Sequence, residues 1–206
     1  MSSNQSRGPA PGVRHTLLFT AFIAFAGVSP ASFSQPVNTP ADTASTTASA
    51  LAGSGTVQAL GLRVGHHGQY NSLSAFWQTP VWWSKAFNNG WGHVDLYGEA
   101  VIGYWDARNG RANSMWQAGF APFLRWWPTQ APFFVEAGFG PNVMSETRFA
   151  GYDISTALQF GSHIGMGYVF NKKHQVTLRA SHFSNASIKQ PNDGLNILQL
   201  DYAYRF

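Results

Sequence analysis

From Gly55 to the C-terminus the sequence alternates between large apolar side chains and small or polar ones, in segments punctuated by Gly, Asn and Pro. Successive side chains of a strand point to opposite faces, so a period of two predicts strands and not helices. Eight segments carry the pattern, roughly 56–66, 72–83, 93–105, 112–126, 132–142, 155–170, 174–184 and 195–206. In the third, Val94, Leu96, Ala100 and Ile102 oppose His93, Asp95, Tyr97 and Glu99. In the fifth, Phe133, Val135, Ala137 and Phe139 oppose Phe134, Glu136 and Gly138. In the sixth, Leu158, Phe160, Ile164, Met166 and Tyr168 oppose Gln159, Gly161, His163, Gly165 and Gly167.

The position of the charges separates two kinds of barrel. A soluble ligand-binding barrel keeps its large apolar face inside and a dense layer of charge outside. Here 11% of residues are charged, against about 25% in soluble domains. Arg63, Asp95, Glu99, Arg125, Glu136, Arg179 and Asp201 all fall on the small, polar face, and both signs are present. That reads as a narrow lumen of paired charges with an apolar exterior in lipid. No run reaches about 18 uninterrupted apolar residues, which excludes a helical membrane protein apart from a leader. The expected fold is all-β, an eight-stranded antiparallel transmembrane β-barrel of the outer-membrane type. Trp82, Trp83, Trp91, Trp105, Trp126 and Trp127 fall near predicted strand ends, where interfacial aromatic girdles belong. The closing Tyr202-Ala203-Tyr204-Arg205-Phe206 resembles the C-terminal signature of Gram-negative outer-membrane barrels.

The leader is legible. Arg7, Arg14 and His15 precede the apolar run Leu17 to Val28, and Ala31, Ser32 and Ser34 offer cleavage before Gln35, so residues 1–34 read as a secretory signal. Residues 35–54 are rich in Ala, Thr, Ser and Pro and read as a flexible lead-in. The barrel is assigned to 55–206. A formal charge of +4 without a basic stripe leaves no nucleic-acid footprint. The lack of Cys removes disulfides and thiolate metal sites.

With both termini on the periplasmic side, the seventh strand runs up to the cell surface and the eighth runs down. His182 and Ser184 share the apolar face of Val176, Leu178 and Ala180. Asn196 shares the face of Leu198, Leu200 and Tyr202. The three therefore converge on the outside of the barrel near the outer leaflet, where polar groups are costly and by default functional. A serine hydroxyl needs an adjacent base, which His182 supplies, and Asn196 can accept from the other ring nitrogen. Asn185, or backbone N–H groups in the loop after it, offers donors to an oxyanion. A bare His-x-Ser also fits girdle residues hydrogen-bonded at the interface. Adjacent His66 and His67 point to opposite faces and cannot chelate one ion together, and no metal site is expected. His93 and His163 face the lumen, Lys189 reads as a solvated loop charge, and Asn185-Ala186-Ser187 matches the N-glycosylation pattern by chance.

The ordered run from His182 to Asn196 closely resembles the signature of the lipid A 3-O-deacylases, the PagL family. That resemblance implies an eight-stranded outer-membrane barrel hydrolysing the ester-linked 3-hydroxyacyl chain at the 3-position of lipid A. It implies His182 as general base, Ser184 as nucleophile and Asn185 as an oxyanion-hole contributor. Ser187 stands where the family often has Gly, and Asn196 where its best-known pattern has Glu; Asp193 is the second choice for the third member. No cofactor is implied. The expected partners are lipid A or lipopolysaccharide in the outer leaflet and the membrane itself, with a homodimer left open. The rival readings are a non-enzymatic structural or adhesive barrel, and an acyltransferase or phospholipase using the same three residues.

Overall fold

The computed structural model describes residues 57–108, 113–129 and 131–206; the predicted leader and lead-in lie outside the described residues. The strands are β1 (Ala59–His67), β2 (Tyr70–Gln78), β3 (Trp83–Ala86), β4 (His93–Ala107), β5 (Ser114–Trp127), β6 (Phe133–Met144), β7 (Arg148–Phe149), β8 (Tyr152–Asp153), β9 (Leu158–Phe170), β10 (His174–Ser184) and β11 (Leu195–Arg205). Eight of them run β2-β1-β11-β10-β9-β6-β5-β4, all antiparallel, and pairing of β2 with β4 closes the barrel. At the seam between the chain ends, Gln58 and Phe206 exchange backbone hydrogen bonds of 2.9 Å.

Strand bounds follow the alternation to within a few residues, with one difference. The segment expected as one strand over 72–83 is divided, because Pro80 has no N–H to give to β4. Hydrogen bonds from Thr79 N–H to Gly98 O and from Trp82 N–H to Leu96 O, both 2.8 Å, carry the ladder around it. β3 then continues the line of β2 along β4.

The lumen is a closed ion network. Arg63 bonds Asp201 at 2.7 Å and Glu99 at 2.6 Å; Arg179 bonds Glu99 at 2.6 Å and Glu136 at 2.8 Å; Arg125 bonds Glu136 at 2.7 Å. All six side chains are buried, so unpaired charge here would be costly and three cations against three anions leave none. Aromatic faces fill what remains: Arg125 lies 4.0 Å from the centroid of Phe134 and Arg179 lies 4.5 Å from that of Phe123. The space is tight enough that a Cβ at Gly138 would come within 2.5 Å of Phe123. The outward residues, among them Leu62, Leu73, Ile102, Ile164, Met166 and Leu200, are exposed and apolar, as a lipid-facing wall requires.

Two tryptophans expected in the girdle are not in it. Trp105 is 0% exposed and donates to Gln117 Oε1 at 2.8 Å; Trp127 turns inward and donates to Asp95 Oδ2 at 2.9 Å. Both sit on the inward parity of their strands, which outweighs their nearness to a strand end. Trp105 joins Tyr70, Phe149, Ile154, Phe183 and Leu195 in an apolar cluster that fills the lumen at the loop end. The lumen is thus packed by ions in the middle and by apolar groups at that end. Breaking one partner of a buried pair costs about 3–5 kcal/mol. Arg179→Met is expected to lower the guanidinium midpoint of the detergent-folded barrel accordingly, whereas Arg148→Met, whose ion pair to Asp153 is exposed, leaves the midpoint nearly unchanged.

Candidate active site

At the loop end of β10 the chain alternates His182 out, Phe183 in, Ser184 out. Phe183 is buried in the apolar cluster opposite its register partner Leu195, which directly precedes Asn196. Two inward anchors therefore fix two outward polar residues. His182 and Asn196 are direct cross-strand partners, and His182 Nδ1 lies 2.8 Å from Asn196 Oδ1. With Oδ1 accepting, the ring proton sits on Nδ1 and the Nε2 lone pair is free to accept a proton. Asn196 is held from its backbone as well, since the Tyr70 hydroxyl donates to its carbonyl at 2.7 Å. Ser184 stands on the same outward face, two residues on; among the described residues no hydrogen bond joins it to His182, as is common before substrate tightens such a pair.

The other expected residues are placed differently. Asn185 is 0% exposed and turned inward. Its Nδ2 donates to Ile154 O at 3.0 Å and Lys189 O at 2.8 Å, while its backbone N–H donates to Asn192 Oδ1 at 3.1 Å. Its donors are spent tying the 185–194 loop down. Asp193 does not approach His182: its carboxylate accepts the Asp153 N–H at 2.8 Å, and its own N–H donates to Asp153 O at 3.2 Å. This clamps the loop to the β7–β8 hairpin. Ala186 and Ser187 have φ of 54° and 63°, the left-handed region that favours glycine. Their N–H groups take part in no hydrogen bond among the described residues. In the lumen, His163 bonds Ser181 Oγ at 2.8 Å, and Ser181 donates to Gln199 at 2.6 Å; this satisfied interior chain is walled off from the outer face.

Gly194 adds a position the sequence reading did not single out. It is buried with φ +67°, and a Cβ there would lie 2.8 Å from His182 Cε1. The Asn-Asp-Gly tripeptide signals a left-handed turn residue, but not that the turn walls the imidazole.

A closed eight-stranded antiparallel barrel with an apolar outer face and a lumen of paired ions belongs to the class of outer-membrane barrels. The sequence model of the family described as Lipid A 3-O-deacylase (PagL) matches residues 71–205. The chain belongs to that family. It is 44% identical over 144 residues to the lipid A deacylase PagL of Bordetella bronchiseptica, covering 69% of this chain and 79% of that one. It is 31% identical over 141 residues to the lipid A deacylase PagL of Pseudomonas aeruginosa, covering 67% and 79%. The crystal structure of the outer membrane enzyme PagL superposes with a TM-score of 0.61 at 28% identity, over 70% of this chain and 97% of that one. The chain is accordingly an outer-membrane barrel and a hydrolase.

Gly194→Ala is expected to push the imidazole off Asn196. In a detergent assay kcat should fall at least about tenfold, the equivalent of one lost hydrogen bond, with KM little changed and the barrel still migrating as folded protein in gels.

Proposed function

We propose that this protein hydrolyses the ester-linked 3-hydroxyacyl chain at the 3-position of lipid A, with Ser184 as nucleophile, His182 as general base and Asn196 as the group that holds the imidazole. The observation that carries this reading is the 2.8 Å contact between His182 and Asn196 on the lipid-facing wall, in line with Ser184. Substrate reaches such a site sideways from the outer leaflet, with its scissile ester near the headgroup boundary. No passage through the filled lumen is needed.

In the first half-reaction Ser184 Oγ attacks the ester carbonyl as its proton moves to His182 Nε2. The tetrahedral oxyanion takes hydrogen bonds from the free N–H groups of Ala186 and Ser187. Collapse breaks the bond to the sugar oxygen, which receives the proton from His182, and leaves the acyl group on Ser184. In the second half-reaction water gives a proton to His182 and adds to the acyl carbonyl. A 3-hydroxy fatty acid departs, and Ser184 regains its proton. Throughout, Asn196 keeps the ring in the Nδ1–H tautomer but brings no negative charge against the imidazolium.

Mass spectrometry of lipid A from cells making the protein tests the assignment. The wild type should remove one 3-hydroxyacyl chain and Ser184→Ala should remove none. Unchanged lipid A with folded wild type, both in cells and in detergent with purified lipid A, overturns it. Asn196→Ala should lower kcat about tenfold. Asn196→Glu should raise it by a similar factor, because a charge-assisted hydrogen bond is about twice as strong as a neutral one.

A further inference from the structure

The outward faces of β6 and β9 are apolar from end to end with one exception. Every outward residue of β6, from Phe133 to Val143, is a hydrocarbon side chain, and on β9 the only polar one short of the terminal girdle is Ser162. Ser162 is exposed and lies between Phe160 and Ile164 on the same face. It is also the direct cross-strand partner of His182, on the side away from Asn196. Asn196, His182 and Ser162 thus form one row across β11, β10 and β9. The Ser162 hydroxyl takes part in no side-chain hydrogen bond among the described residues. A bare hydroxyl on a lipid-facing wall is unfavourable.

The surroundings give it a task. Ser184 pairs with Phe160, so Ser162 is the diagonal neighbour of the nucleophile, one residue pair further from the loop end, with such neighbours about 7–8 Å apart. Below the row the wall is apolar: Ala180 pairs with Ile164. To the side, Phe139 faces Ser162 and its ring stacks on that of Phe160 at 5.7 Å. An acyl chain whose carbonyl sits at Ser184 and whose tail follows this wall towards the membrane interior passes Ser162 within its first few carbons. The group carried there by the substrate named above is the 3-hydroxyl, on the carbon two bonds from the carbonyl carbon. Two carbon–carbon bonds, a C–O bond and one hydrogen bond bridge the diagonal.

We propose that Ser162 is a specificity-determining residue that binds the 3-hydroxyl of the acyl chain being removed, selecting 3-hydroxylated over unsubstituted chains. The assignment rests on the deacylase reading and adds to it the recognition of the leaving acyl group. The hydroxyl on the wall and the hydroxyl on the chain satisfy each other where neither finds water, so each unsubstituted chain leaves Ser162 unpaired. A site that hydrogen-bonds a substrate hydroxyl discriminates against its absence far more strongly than an apolar pocket discriminates by size.

The test compares two synthetic lipid A substrates in detergent, identical except that the 3-position ester carries either a 3-hydroxyacyl chain or an unsubstituted chain of the same length. Wild-type protein is expected to prefer the hydroxylated ester in kcat/KM by about tenfold or more, one hydrogen bond's worth of discrimination. Ser162→Ala should bring that ratio close to one, because only the hydroxylated ester loses a contact, and Ser162→Thr, which keeps the hydroxyl, should retain the preference. Equal loss on both esters in Ser162→Ala overturns the proposal in favour of a structural role beside His182, and an unchanged ratio overturns it outright. In both cases hydrolysis by the wild type shows that the deacylase reading stands. Failure of folded wild type to cleave either ester overturns that reading and this proposal together.

Discussion

Arg179 is the ion about which the barrel is assembled. Its guanidinium bonds Glu99 from β4 and Glu136 from β6 and lies 3.5 Å from Asp201 of β11, so one side chain ties three strands to its own. A slip of β10 by one residue would exchange its two faces. It would turn Arg179 into lipid at a cost of about 2–4 kcal/mol near the midplane and leave three carboxylates short of a partner. Once Arg179 is inside, Leu178, Ala180, His182 and Ser184 are outside by necessity. The placement of the proposed catalytic face thus follows from an interaction on the opposite face of the same strand.

The same coupling operates at the rim. Phe183 and Leu195 enter the apolar cluster as register partners, and the residues next to them in sequence, His182 and Asn196, meet on the outside. Asn185 then ties the loop to Ile154 and Lys189, and Asp193 ties it to Asp153. A site built on strand ends and braced by buried partners keeps its geometry better than one carried on a free loop. The loop contributes what strands cannot: successive backbone N–H groups in left-handed conformation at Ala186 and Ser187, free of the ladder.

Parity made much of this legible in the sequence. The lumenal placement of Arg63, Glu99, Arg125, Glu136, Arg179 and Asp201, the eight strands, and the outward convergence of His182, Ser184 and Asn196 all follow from a period of two and a direction of travel. What parity cannot supply is the register between strands and the path of loops. The opposition of Ser162 and His182 depends on the offset between β9 and β10, which the three-residue turn 171–173 sets. The resemblance implies Asn185 as an oxyanion-hole contributor, and the alternation that puts Ser184 outside turns the Asn185 side chain inward. Trp105 and Trp127 leave the expected girdle because the inward parity of their positions outweighs nearness to a strand end. The alternation runs through Pro80 without a break, so the division of the 72–83 segment is not visible in parity alone.

The neutral third member of the proposed catalytic row is consistent with where that row stands. A carboxylate beside His182 would stabilise the imidazolium formed in each half-reaction, but it would have to be kept ionised on an outward face bordered by Leu198 and Ala180. Charge held at an apolar boundary without a permanent partner is expensive. An amide costs less and still fixes the tautomer through a single 2.8 Å contact, so Asn196 secures orientation while giving up electrostatic support. The balance can favour the amide only if the imidazolium finds compensation elsewhere. In the proposed reaction the charge nearest in time and space would be the oxyanion formed on the substrate at Ser184, which would appear as the imidazolium appears and vanish with it. In the proposed arrangement the pairing charge would belong to the reaction and not to the third residue of the row.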